Sequence, residues 1–419
     1  MKKLCIFFAL LCLFTLSRCT KDNTDSTPNP PGPKKIFQLK IDSSFATNQS
    51  DDWVLVHDVN GKLLGHKSFE GGELIIMEST EDIPDNKVNV TFFQYYPGTP
   101  SDHIFSTYLA IAIGQEWTLK AASDSPGGHG NIIGAFSVSV SGVEAGSAYQ
   151  LSNKTGMIGG SMSGGGQLKM TADLYDSGPA WFLYVAGPTG NPKYKFYNNV
   201  SNNSTFNETY SGLNNFDKNV KVTFPSTKPS DIFYLVFGYE PGQSLNQNSY
   251  MINCSFLNSF GAQPRSNFTL GFVDMFQTNK ITLDIRTPGY RYGYSRTGTA
   301  PDSITLPLNA VFTLLDKSFS NFQFQTSEPF ATRISNWVYR DSSTLFRWQI
   351  YAPKQSIQKM PELPAEFATK YPPVSLSNLS HEETWFITQG RPYYDWIGSA
   401  FEGKSISNNV SESYSVSVH

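Results

Sequence analysis

The chain has 419 residues, 32 Lys and Arg against 35 Asp and Glu, and a formal net charge of −3, with only 16% of its residues charged. So even a balance argues against a nucleic-acid partner, and the apolar and aromatic content argues against disorder. At roughly 150 residues per domain, the length suits two or three domains with sizeable cores.

In chain order the first segment is an address. Lys2 and Lys3 precede an apolar run from Leu4 to Leu16, too short for a membrane span of ~20 residues. Leu16-Ser17-Arg18-Cys19 follows. This segment resembles a bacterial lipoprotein signal, in which the chain is cut before a cysteine that then carries acyl chains. The resemblance implies a signal peptide over 1–18 and lipidation at Cys19. Residues 19–35 continue as TKDNTDSTPNPPGPKK after the cysteine, polar and proline-rich, the composition of an extended tether. Lys21-Asp22 is similar to the export signal of Bacteroidota surface lipoproteins, and Asp25-Ser26-Thr27 and Asp302-Ser303-Ile304 to the O-glycosylation motif of that phylum. The resemblance is limited to this N-terminal region. It implies an outer-membrane, cell-surface location with the membrane as partner through the lipid; two acyl chains suffice for stable anchoring. Cys5 and Cys12 leave with the signal, so Cys254 has no cysteine to pair with and is expected as a small core residue.

Self-comparison of the body finds short words returning about 130 residues on. Gln38-Leu39-Lys40-Ile41 returns as Gln167-Leu168-Lys169-Met170, Trp53 as Trp181, Lys67-Ser68-Phe69 as Lys195-Phe196, and Val90-Thr91-Phe92 as Val222-Thr223-Phe224. Pro100-Ser101-Asp102 returns as Pro229-Ser230-Asp231, and Gly114-Gln115 as Gly242-Gln243. A duplication over 36–150 and 165–295 is therefore expected, with GMIGGSMSGGG as the linker between them. Residues 300–419 form a C-terminal β-rich domain, a degenerate third repeat at most. On this reading Trp53, Trp181, Phe92 and Phe224 recur because each unit needs the same core.

Runs such as KVNVTFF, STYLAIAI, AFSVSVSG and KITLDI are short, β-branched and aromatic, and are spaced by Gly, Pro, Asn and Ser. Such runs suit strands. Asn60-Gly61 inside WVLVHDVNGKLLGHKSF predicts a hairpin with a type I′ turn, which needs positive φ at both residues. Helix is scarce, with PELPAEFATKY at 361–371 the best candidate. The expected fold is all-β, as tandem antiparallel β-sandwiches of Ig-like, Greek-key type.

Chemistry is harder to find. His57 and His66 lie on opposite arms of the Asn60-Gly61 hairpin and read as solvent-side residues. His381-Glu382-Glu383-Thr384-Trp385 puts Trp385 where a zinc motif needs its second histidine. Neither Ser161 nor Ser163 has the flanking glycines of a nucleophile elbow. No catalytic residue, metal or cofactor is assigned. Two aromatic stretches are the candidate ligand sites. Tyr290, Tyr292 and Tyr294 fall on one strand face at period two, a stacking platform for sugar with Arg291 and Arg296 as hydrogen-bond donors. Tyr393, Tyr394 and Trp396 sit in a loop-like run with Arg391 and Asp395. The sequence favours a cell-surface binding protein that captures glycan or a protein partner without catalysis. A surface glycan hydrolase and a structural accessory of an outer-membrane complex stay open beside it.

Overall fold

The computed structural model of the protein describes residues 32–45, 50–120, 130–154, 156–176, 180–187, 192–223, 231–243, 245, 249–254, 267–307, 310–354, 356, 358–371, 376–402 and 411–418. The signal segment, Cys19, Asp25-Ser26-Thr27 and the tether as far as residue 31 lie outside them, as does Phe224.

The predicted runs do form strands, and one pairing scheme organises them. The first set is β1 (Lys34–Ile41), β2 (Asp51–Asp58), β3 (Leu63–Ser68), β4 (Leu74–Ser79), β5 (Lys87–Tyr96), β6 (Ser101–Ala112) and β7 (Gln115–Leu119). Here β1 pairs antiparallel with β4 and parallel with β7, while β2 pairs with β3 and β5, and β5 with β6. The second set is β8 (Ile132–Val143), β9 (Ala148–Ser152), β10 (Met157–Ser161), β11 (Gly166–Tyr175), β12 (Trp181–Ala186), β13 (Lys193–Tyr197) and β14 (Thr205–Thr209). It repeats every one of those pairings in the same order. Two-residue β15 (Asn214–Asn215) adds to β13.

The scheme returns a third time in β16 (Lys218–Thr223), β17 (Asp231–Tyr239), β18 (Tyr250–Cys254), β19 (Asn267–Phe272), β20 (Thr278–Thr287), β21 (Tyr290–Gly298) and β22 (Ile304–Thr305). A fourth set keeps half of it. Hairpin β23 (Phe312–Asp316)–β24 (Gln323–Thr326) stands apart, and β25 (Thr332–Arg340) pairs with β26 (Thr344–Pro353) and β27 (Ser380–Gln389), which pairs with β28 (Ser411–Val418).

This pairing corrects the 130-residue register. Gln38–Ile41 lies in β1, a first strand, but Gln167–Met170 lies in β11, a fourth strand; Trp53 is in a second strand and Trp181 in a fifth. First and fourth strands are neighbours in the same small sheet and carry the same in–out alternation, so their words look alike without being equivalent. The span 165–295 begins inside the second set and ends inside the third. GMIGGSMSGGG is no linker, since Met157–Ser161 of it is β10.

The three-stranded sheets are mixed rather than purely antiparallel, because each seventh strand returns parallel alongside its first. Four-stranded sheets of the third, fourth and first sets then join edge to edge into one twelve-stranded sheet, β18-β17-β20-β21-β28-β27-β25-β26-β6-β5-β2-β3. The β21–β28 joint is antiparallel and the β26–β6 joint parallel.

Cores form where alternation turns apolar residues inward. The first gathers Phe37, Leu39 and Ile75 from the small sheet against Val54, Val90 and Phe92 from the large one. Trp53 points the other way, half-buried edge-on against Phe367. Helix α1 (Phe367–Lys370) falls inside the predicted 361–371 segment and lays Phe367 and Tyr371 on Phe93. Cys254 is fully buried, its Sγ donating to Gln150 Oε1 at 3.3 Å.

Gly61 closes the β2–β3 hairpin as expected, but Asn60 is not at positive φ. The turn bond runs from Gly61 N to Asp58 O, and Gly61 alone takes φ 93°, the glycine-bulge form of the hairpin. A Cβ on Gly61 would lie 2.3 Å from the Met360 carbonyl oxygen, so glycine also admits the 358–362 segment against the turn. His57 is buried rather than solvent-side, its Nε2 2.8 Å from the Glu362 oxygen. His103 is buried too, beside Ser101 Oγ at 3.3 Å.

Burial pushes the pKa of both histidines down, against the opposing pull of Glu362 and Asp58 on His57 and of Asp102 on His103. In the unfolded chain they protonate near pH 6.5. Protonation therefore favours the unfolded state. Stability from these two groups is full above about pH 6.5 and falls as pH drops through their lower folded values. Carboxylates held low, such as Asp341 at about 2, lose their contribution only below the ordinary Asp value. Asp52, raised by burial, acts with the opposite sign. Thermal melts should fall between pH 7 and 5, and a His57→Gln/His103→Gln variant should melt with a flatter profile. An unchanged slope in that variant would assign the dependence elsewhere.

Candidate functional site

Five adjacent strands of the large sheet, β17, β20, β21, β28 and β27, set up the site through register alone. One cross-strand row reads Asp231, Arg286, Arg291, Ser417, Trp385, and the next reads Phe233, Asp284, Gly293, Ser415, Ile387. A third reads Leu235, Thr282, Ser295, Ser413. Period two puts all of these on one face. The residues between them, Ile285, Tyr292, Val416 and Phe386 in one row and Tyr234, Leu283, Tyr294 and Tyr414 in another, are buried on the opposite face in a shared core.

The open face carries a trough of about 550 Å³. Its floor is shallow because the central positions are small: Gly293 with Ser295, Ser413 and Ser415. Phe233 stands on one side and Trp385 on the other. A Cβ on Gly293 would lie 2.4 Å from Ser415 Oγ and 3.2 Å from Trp385 Cζ3, so the indole leans over the glycine. The Arg291 guanidinium sits 4.6 Å from the Trp385 ring centroid, a cation–π contact.

Arg291 is held in place. Its Nε donates to Asp284 Oδ2 at 2.6 Å, its Nη2 meets the same oxygen, and Nη1 lies 3.5 Å from Glu383 Oε2. Its pKa is raised, chiefly by the Asp284 hydrogen bond, with burial opposing. Glu383 is braced by Ser417 Oγ at 3.4 Å and Asn336 Nδ2 at 3.5 Å. The result is a fixed planar donor beside an aromatic ring over a serine-lined floor. Such a set can stack on an apolar ring face and exchange hydrogen bonds with hydroxyls.

Of the residues expected to bind ligand, Arg291 and Tyr294 line the trough, and of these two only Arg291 is not buried. Tyr292 and Tyr294 are 3% and 2% exposed, and Tyr290 is half-buried against the same core. The three do share a face, but it is the covered one, packed beneath β16, β19 and β22. Tyr294 donates from its hydroxyl to Glu412 Oε1 at 2.7 Å, and Arg296 Nη1 pairs with the same oxygen at 3.3 Å. Arg296 thus serves the tyrosine face, away from the trough.

The Arg391–Trp396 stretch is not a loop. It opens helix α2 (Tyr393–Phe401), which closes the first core. Tyr393 is buried, its hydroxyl donating to Leu109 O at 2.9 Å and Tyr351 O at 3.2 Å. Trp396 stacks on Tyr351 at 4.9 Å. Tyr394 is exposed, but its hydroxyl donates to Ala110 O at 3.2 Å.

A smaller hollow of about 240 Å³ lies between Asp51, Asp52, Trp53, Glu70, Glu73 and Lys370. Lys370 Nζ pairs with Asp51 at 2.9 Å and sits 5.4 Å from the Trp53 ring centroid. Among the described residues no group of three His, Cys, Asp or Glu is placed to hold a metal ion, and no helix among them is long and apolar enough to cross a membrane.

No family model matches the chain, and no curated protein does. Among solved structures, one described as "Ca2+-stabilized adhesin helps an Antarctic bacterium reach out and bind ice" aligns over 92% of this chain and 98% of its own. The identity is 8% and the TM-score 0.12, so this likeness carries no weight for fold or function.

Sequence reasoning passed over Trp385, Asp284, Glu383 and Phe233. A signal for them exists. Ser411–Val418 reads SESYSVSV and Thr278–Thr287 reads TNKITLDIRT, so in each strand one face is apolar and the other small or polar. Polar rows on neighbouring strands mark an open face.

Proposed function

We propose that the protein is a lipid-anchored cell-surface binding protein, held through Cys19 in the outer membrane, that captures a neutral glycan in the Trp385–Arg291 trough without cleaving it. The observation that carries this reading is the pairing of a half-buried indole with a fixed guanidinium over a floor of Gly293 and serines. A sugar has the matching surfaces, an apolar ring face and a rim of hydroxyls. Each repeating set of seven strands is read as an Ig-like, Greek-key β-sandwich, supported by cores such as the first, which draw on both a three-stranded and a four-stranded sheet. Tandem sandwiches on a tether suit display away from the membrane.

Binding is favoured over hydrolysis by the carboxylates. Asp284 and Glu383 are both engaged with Arg291; Asp231 also lines the trough, but one carboxylate does not make the acid and nucleophile or base pair that a glycosidase needs.

The test is retention of the chain from residue 32 onward on a panel of polysaccharides, with Trp385→Ala run alongside. The wild type should bind at least one neutral polysaccharide and release no product. Trp385→Ala should weaken that binding by about tenfold or more, since losing an aromatic stack is worth ~1.4 kcal/mol, and should melt close to the wild type. Equal binding by the variant would remove the trough from the reading, and released product would make the protein an enzyme.

A further inference from the structure

An exposed strand edge is a template for pairing, and proteins blunt it with charge, proline, bulges or a cover. Most edges here are treated that way. β3 carries His66 and Lys67, β4 carries Glu78, β7 carries Glu116, β11 carries Lys169 and Asp173, and β14 carries Glu208. β18 is capped by side chains, its Met251 carbonyl accepting from Gln150 Nε2 at 2.6 Å and Ser152 Oγ at 2.8 Å. β15 and β22 are two residues long, and β19 has Phe216 packed onto Gly271.

Among the described residues, β10 has none of these defences. It forms one edge of the sheet β10-β9-β12-β13-β15 and pairs with β9 in unbroken register from Met157 to Ser161. There is no proline in it, and no ionisable residue from 155 to 168. Met157 is 38% and Ile158 36% exposed.

We infer that β10 is a self-pairing edge through which two copies of this chain join antiparallel about a two-fold axis, fusing two five-stranded sheets into one. The sequence MIGGS is complementary to itself in that arrangement. With the axis at Gly159, Met157 faces Ser161 of the second copy and Ile158 faces its Gly160, so each large side chain lies opposite a small one. The absence of charge means no like charges meet, which an isologous contact would otherwise force. Gly160 leaves its space to Tyr149, whose hydroxyl lies 2.9 Å from where a Cβ would be. The second copy's isoleucine would pack beside that ring.

Five paired residues bury far less than the ~1,200 Å² of a stable interface, so the dimer is weak, half-formed at roughly 0.1 mM. Sedimentation velocity of the full chain in detergent, from roughly 1 µM to 1 mM, should show a sedimentation coefficient that rises with concentration. Ile158→Lys should abolish the rise while leaving the melting temperature unchanged, because the side chain is exposed. Gly159→Cys should give a disulfide-linked dimer on mild oxidation where the unsubstituted chain gives none. Residues facing across an antiparallel axis have Cα atoms ~4.5–5.5 Å apart, within disulfide reach. A single monomeric species across the whole range would overturn the inference, as would a dimer that survives Ile158→Lys while Gly159→Cys forms no cross-link.

Discussion

Replacing Trp348 by alanine is expected to destabilise the protein by about 4 kcal/mol and to loosen the first set of strands from the rest. Trp348 is 1% exposed and lies on β26 at the parallel joint with β6. Its ring stacks on Phe105 of β6 at 4.3 Å and meets Phe319 at 4.9 Å. Its indole nitrogen donates to Thr107 Oγ1 at 2.8 Å. A parallel joint has no hairpin to hold its two strands together, so the side chains across it carry the register. Urea denaturation followed by tryptophan fluorescence and by far-UV circular dichroism would read the outcome. The wild type should show coincident transitions, and Trp348→Ala should move the midpoint down and separate the two probes. Trp348→Phe should lose much less, about 1–2 kcal/mol, because a ring remains and Thr107 keeps its bond to Thr91 at 2.8 Å. A loss below about 1 kcal/mol in Trp348→Ala would show that backbone pairing alone holds the joint.

The strands were legible because alternation and β-branched content are local properties, and residues such as Tyr292 and Tyr294 were correctly placed on a common face. Which face is covered is not local. The cover over those tyrosines comes from β16, β19 and β22, and strands such as β20 and β28 offer the same period-two pattern to any neighbour. The same degeneracy explains why Gln38–Ile41 and Gln167–Met170 looked equivalent although they hold different places in their sets. Arg291 was found for its chemistry, yet one residue from Tyr292 means the opposite side of the sheet. The hairpin at Asn60-Gly61 was legible from turn chemistry, whereas its contact with Met360 joins positions about 300 residues apart. Helix α2 had readable signals that were outweighed by its aromatic content: Pro392 at its N-cap and Asp395 in its first turn.

That helix gives the second large expected effect. Tyr393→Ala should destabilise by about 3–5 kcal/mol, as for other large buried aromatics, while Tyr394→Ala should stay within about 1 kcal/mol. The two differ because Tyr393 fills the first core, whereas Tyr394 is exposed and meets that core at its rim, through its hydroxyl and edge-on against the Tyr393 ring. Both hydroxyls bind carbonyls at one irregular point of β6, where Ala110 takes φ 60° and its N–H donates to Asn89 Oδ1 at 3.0 Å. The β5–β6 register shifts there, freeing the Leu109 and Ala110 carbonyls to accept from outside the sheet. Through this clamp the C-terminal set is fastened to the first core at the end of the β26–β6 joint, where Tyr351 of β26 takes part in both. Chemical denaturation of the two single variants, together with polysaccharide retention measured well below the unfolding midpoint, separates structure from recognition. A structural clamp predicts a large stability loss for Tyr393→Ala with retention unchanged while the protein is folded. Normal stability with lost retention would return Tyr393, Tyr394 and Trp396 to the ligand site and move the binding face to the other end of the sheet.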